Sequence, residues 1–597
     1  MSYNTIAQLF LDSCAKYPDN KVYHDKVDGQ WQALTYSDVL ATVENFAYGL
    51  ASLGIEQGDK VAILSNNNSK WAMADFAIIC LGGVTVTVYP TLVATQIEYI
   101  IDNSETKLII TEDDSQTEKI MDFMAHSPTL DKIVSIKESE KYSDRVQTFD
   151  AVAAAGEKHK AGAGFDFLER ANAIQSGDLL TLIYTSGTTG NPKGVMLTHD
   201  NLVSNVKASL KATHVDESDI RLSFLPLSHV FERMVGHFTG FTVGGQGWFA
   251  ESIDKVAENM GEVRPTIMAS VPRLYEKIYN RIIENVNTYP ALRKKIFWWA
   301  IGVGKKAIPL KQKGKSPTGW LGFRHAVADK LVFSKLKERI GGRLRFFMSG
   351  GAPLPKEIGE FFLAADIKIL EGYGLTETSP VITTNREHSF KFGTVGVPID
   401  GVEVKIADDG EILCKGPNVM KGYYKNDEAT AEAIDGDNWF YTGDIGEFDE
   451  DGFLKITDRK KSLIVTSGGK NIAPAPLENA LLTSAFIEQC LVVGDRRNFI
   501  SALVVPAFDA LKAWCTDKDI ETTDMDTILA HTDVQAHYQQ IIDKAMEGFS
   551  RFEQVKKCAL VNREWTIEDN ELTPTLKVKR KVVISHFDSL IDSIYES

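Results

Sequence analysis

Short apolar runs that alternate with helical stretches constrain this chain most. Lys60–Leu64 and Val84–Val88 read as strands, as do residues 108–111. Residues 39–53 carry an amphipathic helix pattern that stops at Gly54, and residues 71–81 read as a second helix. The rhythm returns at residues 221–227, 266–270, 344–349 and 368–371. Strand–helix alternation builds a mostly parallel sheet with helices on both faces, so the expected fold class is α/β. With 597 residues the chain exceeds one core, and two or more domains are expected.

Beyond Gly401 the character changes. Short strand patterns at residues 402–406, 411–414 and 453–456 are separated by DDG and DEDG turns, and read as a small β region. A charged junction follows at residues 457–462, then a last α/β unit. The expected division is a large domain of α/β layers plus the β region over 1–458, and a small C-terminal α/β domain over 459–597. Residues 76–94 are uncharged and nearly long enough to span a bilayer. Gly82-Gly83, Pro90 and the alternating VTVTV run argue instead for a buried helix leading into a core strand.

Residues 184–199, YTSGTTGNPKGVMLTH, carry the clearest chemistry. Glycines allow close backbone approach to a ligand, while hydroxyls and exposed N–H groups form a donor surface for phosphate oxygens. Lys193 adds a point charge. A P-loop would read GxxxxGK[ST] between strand and helix. Here Lys193 follows Pro192 and precedes Gly194, and both flanks read as strands, so the Walker register fails and a strand–loop–strand is expected.

The net charge of −16 argues against a general nucleic-acid binder. Six dispersed cysteines with no CxxC pair fit a reducing cytoplasm, without structural zinc or a disulfide framework. The first twenty residues lack a basic n-region and do not read as a signal peptide.

Further loops follow strand patterns. Ser349-Gly350-Gly351-Ala352 would admit a flat ring against the backbone. Glu371-Gly372-Tyr373-Gly374-Leu375-Thr376-Glu377 offers an aromatic face, a hydroxyl and a carboxylate. In open α/β sheets ligands bind at the carboxyl ends of strands, so these loops and the phosphate loop could meet at one crevice. His229, in LPLSHVFER, suits a structural or a functional role equally. Asp444, in YTGD, is a turn residue or an acceptor for two ribose hydroxyls. The basic run containing Lys577 reads, on its own, as a solvated charge run.

Taken in order, YTSGTTGNPKG, GYGLTET, YTGD and DRKKSLIVTSGGKNIAP resemble the signature segments of the AMP-forming acyl-CoA synthetase, luciferase and adenylation-domain superfamily. The likeness covers nearly the whole chain. LPLSHVFER, PRLYEKIY, IFWWAIGVGKK and LTPTLKVKRK are similar to the long-chain fatty acid–CoA ligase branch. The resemblance implies attack of a fatty acid carboxylate on the α-phosphate of ATP, giving acyl-AMP and pyrophosphate. The thiol of CoA then displaces AMP. Such catalysis is mostly positioning and charge neutralisation.

The resemblance also implies roles. Thr185, Ser186, Gly187, Thr188, Thr189, Gly190 and Lys193 would wrap the β- and γ-phosphates. Glu377 would hold Mg²⁺ and Thr376 would contact the α-phosphate. Tyr373, Gly374, Gly350, Gly351 and Ala352 would flank adenine, and Asp444 and Arg459 would bind ribose. His229 would line the junction of carboxylate and phosphate, bridged by Lys577. The small domain would be mobile, turning about Lys460 or Lys461, and would present either Lys577 to the nucleotide or Gly468-Gly469 to the CoA channel. Two departures stand out: TLK where many relatives have TGK, and RKKS where relatives often carry an acid after the hinge.

Residues 293–315 hold eight basic and no acidic residues, interleaved with Phe297, Trp298 and Trp299. A packed helix with a solvated loop is the preferred reading, and a segment resting on the inner membrane surface is the alternative. Two further readings of the whole chain compete with a ligase: an adenylating enzyme that loads a carrier protein, and a non-catalytic nucleotide- or acyl-binding scaffold. The acids and lysine at the motif positions speak against the scaffold.

Overall fold

The structure is a computed structural model that describes residues 3–185, 191–460, 463–467, 471–521, 524–573 and 577–596. The alternating pattern folds into two large sheets, not one. The first has eight strands, in the order Gly422–Tyr423, Lys193–Thr198, Leu179–Thr185, Val84–Val88, Lys60–Leu64, Thr106–Thr111, Lys132–Ser135, Gln147–Thr148. It is parallel except where Lys193–Thr198 pairs antiparallel with its two neighbours. The second has nine strands and is parallel through its centre, where Ile220–Ser223, Ile267–Ser270, Phe346–Ser349 and Lys368–Gly374 lie side by side.

Between the sheets runs the helix Ser69–Leu81, which touches Lys60–Leu64 and Val84–Val88 on one side and Lys21–Val27 on the other. Every residue in it except Lys70 is buried. A helix enclosed on all sides needs apolar residues all round, which explains its membrane-like composition. Asn68 caps its start by accepting from Trp71 N, and Gly82, at φ +82°, ends it in the left-handed conformation.

The β region forms a four-stranded antiparallel sheet of Glu403–Ile406, Glu411–Lys415, Phe440–Phe448 and Leu454–Arg459. Pairing continues as far as Asp444 opposite Arg459, into the polar junction. Lys460 is also held to this sheet, its Nζ 2.6 Å from Asp409 and 2.8 Å from Glu411. Lys461 lies outside the described residues. The C-terminal unit has a three-stranded sheet of Ile487–Val493, Ile500–Pro506 and Val555–Leu560, with its own apolar core under the flanking helices. All six cysteines are free thiols.

Candidate active site

Ser270, Ser349 and Glu371 are in register across the nine-stranded sheet; the first two end their strands at this level, whereas the strand expected to stop at Glu371 runs on to Gly374, pairing antiparallel with Val381–Thr384. The strand expected over 221–227 ends at Ser223 instead. There Asn67 takes over, donating to Ser223 Oγ and Leu225 O and accepting from Leu227 N, which turns the chain away from the ladder. Ser228 is then stitched to the other sheet. Its carbonyl accepts from Thr87 Oγ1 at 2.9 Å, and its hydroxyl donates to Val88 O at 3.0 Å.

This fastening extends into an ion pair. Arg233 donates through Nε and Nη2 to both carboxylate oxygens of Asp75, at 2.8 and 2.5 Å, and through Nη1 to Thr181 Oγ1. Thr85 Oγ1 also donates to Asp75. The pair is bidentate and buried between the two sheets. It fixes the segment that carries His229. Phe231, in the same segment, packs on Gly350, where a Cβ would lie 3.1 Å from its ring.

Tyr373 and Asp444 come together from different sheets, Tyr373 Oη donating to Asp444 Oδ2 at 2.7 Å. Arg459 Nε lies 3.1 Å from the other carboxylate oxygen. The turn expected at Asp444 is instead part of the strand Phe440–Phe448, where Gly443, at φ +73°, sits at a break in the register with Glu411–Lys415, and Asp444 N donates to Thr442 Oγ1. Gly374 is a close approach, since a Cβ there would meet Pro380 O at 1.7 Å.

The phosphate-loop stretch is a β-hairpin, Leu179–Thr185 pairing antiparallel with Lys193–Thr198 and Thr185 opposite Lys193. Ser186, Gly187, Thr188, Thr189 and Gly190 lie outside the described residues, as do Gly468 and Gly469. Lys193 Nζ lies 4.9 Å above the ring of Tyr423. Tyr423 Oη donates to Glu377 Oε1 at 2.9 Å, and Met420 N donates to the Glu377 carbonyl. Tyr423 therefore links the hairpin to the acid. Sequence reading passed it over, because a tyrosine in a GYYKN stretch carries no spacing signal. Thr376 is buried in the 3-10 turn Thr376–Thr378, while Ala352 is exposed.

Lys577 reaches this cluster from the small domain. Its Cε lies 3.8 Å from the position of a Cβ on Gly351. Thr573 holds the base of its loop: Lys577 N donates to Thr573 Oγ1 at 3.0 Å, and Thr573 N donates to Lys577 O at 2.8 Å. Arg273 of the large domain pairs with Glu488 of the small one, alongside.

The electrostatics follow from enclosure. Burial pushes the Lys577 ammonium down to about 8, helped by the charge of Arg459 and opposed by Asp444. Burial, then the charge of Lys577, pushes His229 down to about 3. His229 is thus a neutral imidazole at ordinary pH. Its Nδ1 accepts from Phe231 N at 3.1 Å, so its proton sits on Nε2, which is left as a donor. Burial raises the Glu377 carboxyl, against the hydrogen bond from Tyr423 and the charge of Arg459. Among the described residues no three His, Cys, Asp or Glu side chains cluster as a metal site. The arrangement offers three cations, Lys193, Arg459 and Lys577, with the neutral imidazole of His229 and an acid whose charge burial penalises, which suits a polyanion with a bound cation.

A family model described as "AMP-binding enzyme" matches residues 10–424, and "AMP-binding enzyme C-terminal domain" matches residues 461–597. The Mycobacterium tuberculosis protein "Long-chain-fatty-acid--CoA ligase FadD15" is 37% identical over 605 residues, covering 99% of this chain and 97% of its own length. The Arabidopsis thaliana protein "Long chain acyl-CoA synthetase 7, peroxisomal" is 32% identical, covering 99% of this chain and 86% of its own. Among solved structures, ATP-bound MatB from Rhodopseudomonas palustris superposes with a TM-score of 0.71 at 22% identity, covering 98% of this chain and 99% of its own. The anthranilate CoA ligase AuaEII with anthranoyl-AMP gives 0.75 at 18% identity, covering 99% and 98%. These likenesses share the fold of two α/β units.

Proposed function

We propose that this chain, which belongs to the AMP-binding enzyme family, is a long-chain fatty acid–CoA ligase. The observation that carries the reading is the convergence of Lys577, from the far end of the chain, on Gly351, Asp444, Arg459 and His229. A fatty acid carboxylate oxygen forms a bond to the α-phosphorus of ATP, and the bond to the pyrophosphate oxygen breaks. The CoA sulfur then bonds to the acyl carbon, AMP leaves, and the thiol proton passes to solvent.

In this reading Lys577 neutralises the carboxylate and α-phosphate, and His229 donates through Nε2 to the same region. Thr376 contacts the α-phosphate. Tyr373, Gly374, Gly350, Gly351 and Ala352 border adenine, and Asp444 and Arg459 take the ribose. Lys193, with Thr185 and the loop between them, takes the outer phosphates. Glu377 fits Mg²⁺, since a carboxyl whose charge is penalised by burial is one a hard cation stabilises. The remaining ligands would be phosphate oxygens and water. The large domain would end after Lys460, the last residue anchored to the four-stranded sheet, and the small domain would turn there to present Gly468-Gly469 to CoA. A peripheral contact with a membrane through residues 293–315 belongs to the same reading.

Incubating the protein with ATP, CoA and a panel of carboxylates tests this directly. Long-chain fatty acids are expected to give thioester and AMP in equal amounts. Release of ADP, or no thioester from any fatty acid, would refute the assignment. A finer expectation concerns Tyr423→Phe, which keeps the ring under Lys193 and removes a charge-assisted hydrogen bond to Glu377. Its loss is expected to raise KM for ATP roughly 10-fold, with thermal stability unchanged.

A further inference from the structure

The most lopsided charge in the chain lies away from the crevice. Residues 291–340 hold thirteen lysines and arginines against two acids, Asp329 and Glu338, in a chain of net charge −16. This stretch forms the helices Ala291–Lys311 and Gly319–Ala328, which pack on one another. Trp299 and Arg324 join them, the guanidinium 5.7 Å from the indole. The inner side of the first helix is accounted for by its packing on Lys356–Ala364. Lys311 is paired there with Asp366 at 2.6 Å.

The outer side is different. On the first helix Lys295, Trp298, Gly302, Lys305 and Lys306 are exposed at spacings of three and four, a single stripe. Lys313 and Lys315 continue it past the helix end. On the second helix only Ala328 is buried. Trp320 and Phe323 are 73% and 61% exposed and stack at 5.6 Å, with no protein partner that would hide them from water. Leu331 follows, 46% exposed beside the exposed Lys330. Among the described residues Lys295, Lys306, Lys313, Lys315 and Lys330 have no acidic partner within 4.0 Å.

Exposed indole and phenyl rings on one helix, and unpaired lysines on its packed neighbour and the link between them, match the boundary between acyl chains and headgroups. No described helix is long and apolar enough to cross a membrane, so the helices would lie on a surface rather than span it. We propose that the outer face of this helix pair docks on an anionic lipid bilayer. Trp320 and Phe323 enter the headgroup boundary and the lysines face anionic headgroups. This rests on the reading that the protein meets a membrane peripherally. It deepens that reading by moving the anchor from residues 293–315 to the aromatic pair of the second helix. Long-chain carboxylates partition into bilayers, so docking would put the enzyme where such a substrate is concentrated.

Co-sedimentation of the full chain with vesicles tests the proposal, using vesicles of about one-third phosphatidylglycerol against pure phosphatidylcholine. The full chain is expected to bind the anionic vesicles at least roughly 10-fold more tightly, with the preference falling as salt rises. Trp320→Ser/Phe323→Ser should weaken that binding roughly 10-fold, leaving thermal unfolding and AMP release from a water-soluble carboxylate unchanged. Lys306→Glu/Lys313→Glu/Lys315→Glu should abolish the anionic preference. If the unaltered protein binds neither vesicle, the peripheral reading itself fails. If it binds and the aromatic variant binds equally well, the anchor assignment fails alone. A dimer in sedimentation equilibrium that the aromatic variant dissolves would show that a second copy covers this face, and would overturn the proposal.

Discussion

Replacing Lys577 by alanine is expected to slow acyl-adenylate formation roughly 10²–10³-fold, the usual effect of removing one preorganised charge from a transition state. The same variant should convert supplied acyl-AMP and CoA to thioester within about threefold of the unaltered rate, because Lys577 would be withdrawn for that step. Pyrophosphate release and thioester formation, measured separately, decide it. Equal loss of both half-reactions would contradict a small domain that alternates between two tasks.

A pH signature accompanies this result. The ordinary lysine value is 10.5, and enclosure pushes Lys577 down to about 8. The closed arrangement therefore binds fewer protons than the open one between these values, and raising pH across that window favours closure. Below about 8 the cost of enclosing the ammonium is fully present. Adenylation needs the ammonium, so its rate should fall as pH rises through the same window. Interdomain fluorescence transfer and adenylation rate should thus move in opposite directions. His229, already neutral down to about 3, should add no limb between them.

Asp75→Asn is expected to destabilise the large domain by about 3–5 kcal/mol, because it leaves the Arg233 guanidinium buried without its counter-charge. Against total stabilities of about 5–15 kcal/mol, that is enough to lower the yield of folded protein sharply. Arg233→Met should do similar harm. Combining Arg233→Met with Asp75→Leu should recover much of the loss, since the low-dielectric site then holds no unpaired charge. Urea unfolding followed at the large-domain transition reads the effect. A single variant that unfolds at the unaltered urea concentration would show that water reaches the pair. The double variant should be more stable than either single variant yet show weakened adenylation, because His229 would lose the fixed segment that carries it.

Much of the site was legible because its parts are contiguous in the chain. The strand pair Leu179–Thr185 and Lys193–Thr198, the Gly350-Gly351 pair, Tyr373 to Glu377 and Asp444 each stand out in the sequence by residue types that suit a proposed contact with phosphate, a ring or a ribose. What escaped was pairwise. Arg233 stood in a stretch read only for its histidine, and its partner Asp75 lies 158 residues away in the middle of a helix that looked merely apolar. Tyr423 acts through Glu377, 46 residues earlier, and through Lys193.

The sequence by itself determined the alternation of strands and helices, the two strands that flank the Gly/Thr-rich stretch and the order of the candidate loops, because these depend on local periodicity and residue type. Only the tertiary structure decided that the strands divide into two sheets around one buried helix, that an ion pair fastens the segment carrying His229 to that helix and to the eight-stranded sheet, and that a basic run near the C-terminus holds an enclosed lysine. Each of these rests on the low dielectric and close packing between segments far apart in the chain, which no local pattern encodes.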